Sequence, residues 1–304
     1  MGTEQQEGER TELKSERILI SLLSQTSFTI TMSEAEVKKA KKTTLRALGF
    51  CGADDSVDPN LLAIFSNLYP LVEFGVLFRP SLSGQPRYAS PEWVQNLGVV
   101  AAKSNGKMKL AAHFCGDRVN EILTGDDAFL STLPSLGFQR VQVNATAVNG
   151  VDTSRLAESV ESFLSVVNKH PELEFILQKN AETRPLWEGI LSLDSESAGK
   201  SGYLPKNASM LLDESKGTGV LASSWPSPPE EYEIGYAGGI GPSNIDKVLG
   251  DVMTAGNGRK IWIDMESSLR SVKNDKDIFD LEKCYEVITA ACNAGIQAHP
   301  TFLA

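Results

Sequence analysis

Between Glu233 and Arg270 the chain carries a glycine-rich turn, Ala237-Gly238-Gly239-Ile240-Gly241-Pro242-Ser243-Asn244, and a strand end bearing hydroxyls, Asp264-Met265-Glu266-Ser267-Ser268. Ile234 and Tyr236 alternate as in a strand, the glycines permit close backbone approach, and Pro242 stands where the first turn of a helix would begin. Amides left bare at a helix N-terminus, aided by the helix dipole, hold an anion without a lysine. The pattern predicts a phosphate cup at Gly238, Gly239 and Ile240, with Asp264, Ser267 and Ser268 beside it. An ordinary strand-to-helix turn uses the same punctuation, and that reading stays open. In (β/α)8 barrels such a cup lies in the loops after strands 7 and 8, and this stretch falls near the C-terminus, about where those strands belong.

Composition limits the partners. With 29 basic against 39 acidic residues the chain carries a net charge of −10, which argues against nucleic acid or an anionic membrane and leaves a small molecule, anionic or phosphorylated, as the expected partner. Ile18-Leu19-Ile20-Ser21-Leu22-Leu23 is too short for a membrane span and follows Glu-rich sequence, so a cytoplasmic location is expected. Cys51, Cys115, Cys284 and Cys292 form no CxxC pair and are read as reduced thiols. Histidine occurs only at 113, 170 and 299, which disfavours a zinc site or a Ser-His-Asp triad; no metal and no cofactor is expected. Nothing in the sequence fixes the oligomeric state.

The elements that must position these residues follow from periodicity. Residues 1–31 are polar, with several glutamates, and read as a flexible arm; Ser33 and Glu36 suggest a capping box for a helix over 32–48 with Val37, Ala40, Thr44, Leu45 and Leu48 on one face. From residue 49 strands are predicted at Gly49–Cys51, Leu71–Phe78, Lys109–Phe114, Arg140–Ala145, Glu174–Gln178, Ala208–Asp213, Glu233–Ala237 and Lys260–Asp264. Helical stretches at Pro91–Lys103, Thr153–Lys169 and Asp280–Ala294 lie among them, and Ser195–Ser201 and Ser223–Pro229 read as loops. Eight strands in this rhythm, in a chain of 304 residues with 41% apolar residues, predict a (β/α)8 TIM barrel over 49–304 with an N-terminal helical extension; an open doubly wound sheet has the same rhythm.

Several segments resemble phosphoribosylanthranilate isomerase, a (β/α)8 barrel enzyme of tryptophan biosynthesis, over most of residues 49–290. Gly49-Phe50-Cys51-Gly52 stands where that family's first strand ends in its catalytic cysteine, and Pro86-Arg87-Tyr88-Ala89-Ser90-Pro91-Glu92 resembles its PRYxSPE segment closely. Phe74-Gly75-Val76-Leu77-Phe78 is similar to the strand before that segment, and His113-Phe114 with Val119-Asn120 to the third-strand region. Met210-Leu211-Leu212-Asp213 resembles the strand ending in the catalytic aspartate, followed by the glycine-rich Gly217-Thr218-Gly219 and Trp225. The resemblance implies an intramolecular oxidoreductase of the aldose–ketose type performing an Amadori rearrangement, with Cys51 as base, Asp213 as acid, Arg87 on the substrate carboxylate, and Gly217 and Gly219 near the substrate. Such chemistry protonates a furanose ring oxygen and takes a proton from the neighbouring carbon.

Departures from the family accompany the matches. Gly49 replaces a usual lysine, Asp54 a small hydroxyl residue, Asn149-Gly150 a histidine-glycine pair, and Glu266 lies in the strand that should face the phosphate. Gly49 and Asp54 are expected to make the pocket more negative. An inward Glu266 within 4–5 Å of a phosphate would cost roughly 3–4 kcal/mol at an effective dielectric near ~20. Two alternatives therefore stand beside the family reaction: a divergent barrel acting on a different, unphosphorylated molecule, and a non-catalytic scaffold assembling through residues 33–49.

Overall fold

The computed structural model describes residues 42–193, 202, 204–216 and 218–297. The arm at 1–31, the loop at 195–201 and most of the N-terminal helix reading lie outside those residues. Eight parallel strands close into a barrel in sequence order: β1 (Thr44–Cys51), β2 (Val72–Phe78), β3 (Lys109–Phe114), β4 (Arg140–Val143), β5 (Glu174–Lys179), β6 (Ala208–Leu212), β7 (Ile234–Tyr236) and β8 (Lys260–Met265). The open-sheet alternative is excluded by the pairing of β1 with both β2 and β8.

Residues 44–48, expected to end a helix, are instead the first five residues of β1. Thr44, Leu45 and Leu48 do fall at helical spacing, but Leu48 pairs with Val72 on one side and Ile263 on the other, and this two-sided ladder decides the conformation. A register shift at Arg46 turns that side chain into the barrel.

The helices α1 (Pro59–Leu68), α2 (Pro91–Lys103), α3 (Asp117–Thr124), α4 (Val160–Lys169), α5 (Arg184–Ser192), α6 (Ile245–Ala255) and α7 (Leu281–Asn293) lie between or after the strands. Ser90 caps α2 by accepting from Trp93 N, with Pro91 at the first helical position. The predicted helix over Thr153–Lys169 resolves into a 3-10 turn at Thr153–Arg155 and α4. No helix is found between β6 and β7 among the described residues, and a hairpin of β9 (Arg270–Lys273) and β10 (Lys276–Phe279) is inserted between β8 and α7.

Outward residues of the strands, such as Leu48, Phe50, Phe74, Phe114, Phe175 and Ile263, are fully buried under the helices. Each such side chain contributes ~1.5–3 kcal/mol of burial. Inside the barrel the order is different. The N-terminal end holds an ionic layer: Arg140 bridges Glu73 (2.6 Å) and Glu174 (3.3 Å), and Arg46 pairs with Glu174. Both guanidiniums lie over the Trp262 ring, 4.6 and 4.3 Å from its centroid. Trp262 then packs with Ala47, Ile176, Leu211 and Ala237 as an apolar plug. Gly235 makes room for this ring, since a Cβ there would collide with the indole. The plug is the floor on which the C-terminal pocket rests.

Candidate active site at the C-terminal mouth

Above that floor a cavity of about 300 Å³ opens among the strand ends. Inward positions alternate along each strand, so Cys51, His113, Gln142, Gln178, Asp213 and Asp264 reach it from β1, β3, β4, β5, the end of β6 and β8. This is where barrel enzymes carry their chemistry.

Of the residues expected from sequence, Cys51, Asp213, Gly219, Gly238, Gly239, Ile240, Asp264, Ser267 and Ser268 all line this one cavity. Gly217 lies outside the described residues. Arg87 does not line it: its backbone takes a left-handed φ of 77°, and its guanidinium sits at the rim, 3.3 Å from Glu266 Oε1, Ser267 Oγ and Asp277 Oδ2.

The glycine turn departs from the anticipated cup. The helix starts at Ile245, not at Pro242, which lies in the turn before it. Asn244 Oδ1 accepts from Gly241 N at 3.0 Å, so a side chain already satisfies one amide of the turn. Ser268 Oγ is donated to Ile240 O. Gly238 and Gly239 have φ of 106° and 63°, and a Cβ on Gly239 would strike the Val220–Leu221 backbone. Their glycine identity is therefore set by backbone shape and a close crossing of two loops.

Glu266 faces the cavity. Its side chain is 33% exposed, and Arg87 holds it from the rim. Burial nonetheless pushes its carboxyl up from the ordinary value, against the pull of Arg87 and Arg270. Asp54 corrects the expectation made for it. Its carboxylate accepts from Arg270 Nη2 at 2.8 Å and from Arg87 N at 2.6 Å, and it is spent on anchoring the β9–β10 hairpin to the β1 loop. It does not line the cavity. At Gly49 a Cβ would collide with the carboxylate of Asp264, so its missing side chain is the space Asp264 occupies.

Asp264 is pushed well above the usual carboxylate range by burial and by the charges of Glu73 and Glu266, with Arg140 pulling the other way. Those surroundings favour its protonated form. Asp213 is fixed differently. It accepts from Gln178 Nε2 at 2.7 Å and from Ser215 N at 3.1 Å, the latter closing a local turn.

Cys51 has a partner that sequence reading passed over. Its Sγ lies 3.0 Å from Nδ1 of His113, and both are buried. Gly75 between them is needed, because a Cβ there would stand 2.8 Å from His113 Nε2 and 3.1 Å from Cys51 Cβ. Burial, then Glu266 and Asp264, raise the Cys51 thiol well above its ordinary value, and burial lowers His113 to about 3. Both shifts favour a neutral thiol beside a neutral imidazole. Gln142 and Asn144 complete the wall, joined by a 3.0 Å hydrogen bond. The signal that could have found His113, Gln142 and Gln178 is their inward parity on β3, β4 and β5. Cys115 is fully buried beside Cys51 and Leu77 and does not line the cavity.

Three carboxyl groups, four side-chain amides, one imidazole and one thiol thus line the cavity, with no lysine or arginine among its described lining residues. The site can exchange protons with, and hydrogen-bond to, a hydroxylated molecule. The fold and this mouth define a TIM barrel with a polar pocket of small-molecule size. No known family's sequence model matches the chain, and no curated protein matches it at the level of sequence. Similar solved structures are barrel enzymes: a D-psicose 3-epimerase from Clostridium cellulolyticum H10 with D-tagatose (13% identity, 84% of this chain and 98% of that one, TM-score 0.44) and a GH113 β-1,4-mannanase (9% identity, 82% and 98%, TM-score 0.45). An enolase of the mandelate racemase subgroup from Agrobacterium tumefaciens is also similar (10% identity, 77% and 60%, TM-score 0.35). No helix among the described residues is long and apolar enough to cross a membrane.

Proposed function

We propose that this barrel is an acid–base isomerase acting on a small, hydroxylated carbonyl or amino-sugar compound that carries no phosphate. The observation that carries the reading is that Glu266 faces inward, with no lysine or arginine among the described residues that line the cavity. Arg87, whose guanidinium sits at the rim, is engaged by Glu266 and Asp277. At 4–5 Å each ionised carboxylate repels a bound phosphate by roughly 3–4 kcal/mol at an effective dielectric near ~20. A neutral polyol meets no such penalty, and an ammonium group would gain.

The chemistry of the family resemblance survives in altered form. In the Cys51–His113 pair the imidazole takes the thiol proton as the sulfur takes the proton from the carbon next to the carbonyl or imine, which leaves a thiol and an imidazolium beside the forming carbanion. Asp264, whose surroundings favour its protonated form, gives its proton to the carbonyl oxygen or ring oxygen. An enediol or enaminol results; return of a proton to the neighbouring carbon and removal of one from oxygen complete the isomerisation with no net change in atoms. Asp213, oriented by Gln178 and Ser215, binds substrate hydroxyls across the pocket, and it is the competing candidate for the acid.

The test is proton exchange. Unphosphorylated aldoses, ketoses and amino sugars are incubated with the protein in D2O, and deuterium at the carbon next to the carbonyl is followed by NMR. Exchange that falls by ~10²-fold or more in both Cys51→Ala and Asp264→Asn supports the reading. Turnover of phosphoribosylanthranilate in preference to every unphosphorylated compound would overturn it.

A further inference from the structure

A second cavity, about 580 Å³, lies outside the barrel wall between the loop after β2, α2, α3 and the segment after α3. Its walls are largely apolar, with Phe78, Pro91, Val94, Phe129 and Leu136 among them. Two guanidiniums, Arg79 and Arg118, are set into those walls, and no carboxylate lines them. Arg118 Cζ lies over Phe129, 3.7 Å from the ring centroid, and the guanidinium is balanced by Glu121 at 2.6 Å.

Arg79 is not balanced. Its Nε is enclosed with no hydrogen-bond partner, and no carboxylate among the described residues forms an ion pair with it. Its near partner is the neutral phenol of Tyr88. The guanidinium is pressed against the backbone of Gly116 and Gly150, where a Cβ at either position would crowd it. A half-buried guanidinium with an unpartnered Nε and no ion pair among the described residues, in a chain of net charge −10, can take an anion from outside.

We infer that this cavity is a binding site for a monocarboxylate with an apolar body, its carboxylate meeting Arg79 and its aliphatic or aromatic part lying along Phe129 and Val94. The guanidinium fork suits a carboxylate, and the volume is that of an ordinary small-ligand site. The central pocket, rich in carboxyl groups, would repel the same molecule, so the two sites select opposite chemistries.

The experiment uses octanoate, octan-1-ol and octylamine as probes in calorimetric titrations of the full chain. Octanoate is expected to bind saturably at one site per chain, at least tenfold more tightly than octanol and more tightly still than octylamine. Arg79→Gln should bring octanoate to the level of octanol while leaving octanol unchanged, and Thr132→Trp at the exposed rim should block both. Asp264→Asn in the central pocket should leave octanoate binding as it is. Equal affinity for octanoate and octanol in the wild type, undiminished octanoate binding in folded Arg79→Gln, or loss of binding in Asp264→Asn would each overturn the inference. The wild-type comparison decides even if a variant fails to fold.

Discussion

The carboxylate of Asp264 on β8 fills the volume that a side chain at position 49 on β1 would take. The two residues are register partners across the closing seam of the barrel, so one missing Cβ and one added acid are a single structural fact. Replacing Gly49 by Ala should force Asp264 aside, costing ~1–3 kcal/mol of stability by overpacking and most of the proton-exchange activity. Thermal denaturation beside an exchange assay checks both; full activity in Gly49→Ala would show that the placement of Asp264 is immaterial.

Glu266→Gln removes an inward carboxylate and releases Arg87 from one of its two acidic partners. Affinity for a phosphorylated ligand, measured with inorganic phosphate or ribose 5-phosphate by calorimetry, should rise by at least tenfold, a shift of ~1.4 kcal/mol or more. Unchanged phosphate affinity would mean that Glu266 does not set substrate charge.

Stability should depend on pH in two windows. His113 is depressed from 6.5 to about 3, so the unfolded chain binds a proton that the folded one refuses, and stability falls as pH drops below 6.5. Glu174 is desolvated, yet Arg140, Arg46 and Ser209 hold it at about 2; its contribution is present above 4.5 and lost as pH falls from there toward 2. Each group contributes a slope of up to ~1.4 kcal/mol per pH unit in its window. Urea denaturation of wild type and His113→Asn between pH 6.5 and 4.5 checks the first, the variant being expected to show the flatter profile. Equal slopes would contradict the neutral, buried imidazole.

Gly235→Ala should destabilise the barrel by ~1–3 kcal/mol or more, because the new methyl meets the Trp262 ring that floors the pocket. Near-ultraviolet circular dichroism of the indole should change with it. A variant as stable as wild type, with the same indole signal, would place Trp262 elsewhere.

Much of the barrel is legible in the sequence where local and global signals agree. β3 at Lys109–Phe114 and α2 at Pro91–Lys103 match their expected bounds end to end. β1 is the failure: Thr44, Leu45 and Leu48 fit a helix, and only pairing with strands 24 and 215 residues away, as Leu48 does with Val72 and Ile263, makes them extended. The site divides in the same way. Cys51, Asp213 and Asp264 stand at strand ends and could be read from motifs. His113 and Gln178 act through partners 62 and 35 residues distant, which no local pattern carries. The roles of Asp54 and Glu266 were likewise settled by Arg270 and Arg87, whose positions depend on the hairpin after β8 and the loop after β2.

The central claim is that the mouth of this barrel moves protons on an unphosphorylated substrate through Cys51–His113 and Asp264. The most direct measurement is deuterium incorporation from D2O into a panel of unphosphorylated sugars and amino sugars, for wild type, Cys51→Ala, Asp264→Asn and Asp213→Asn. The account predicts exchange in the wild type, a loss of ~10²-fold or more for Cys51→Ala and Asp264→Asn, and a smaller loss for Asp213→Asn. Exchange confined to phosphorylated compounds, or exchange that survives in both Cys51→Ala and Asp264→Asn, would contradict it.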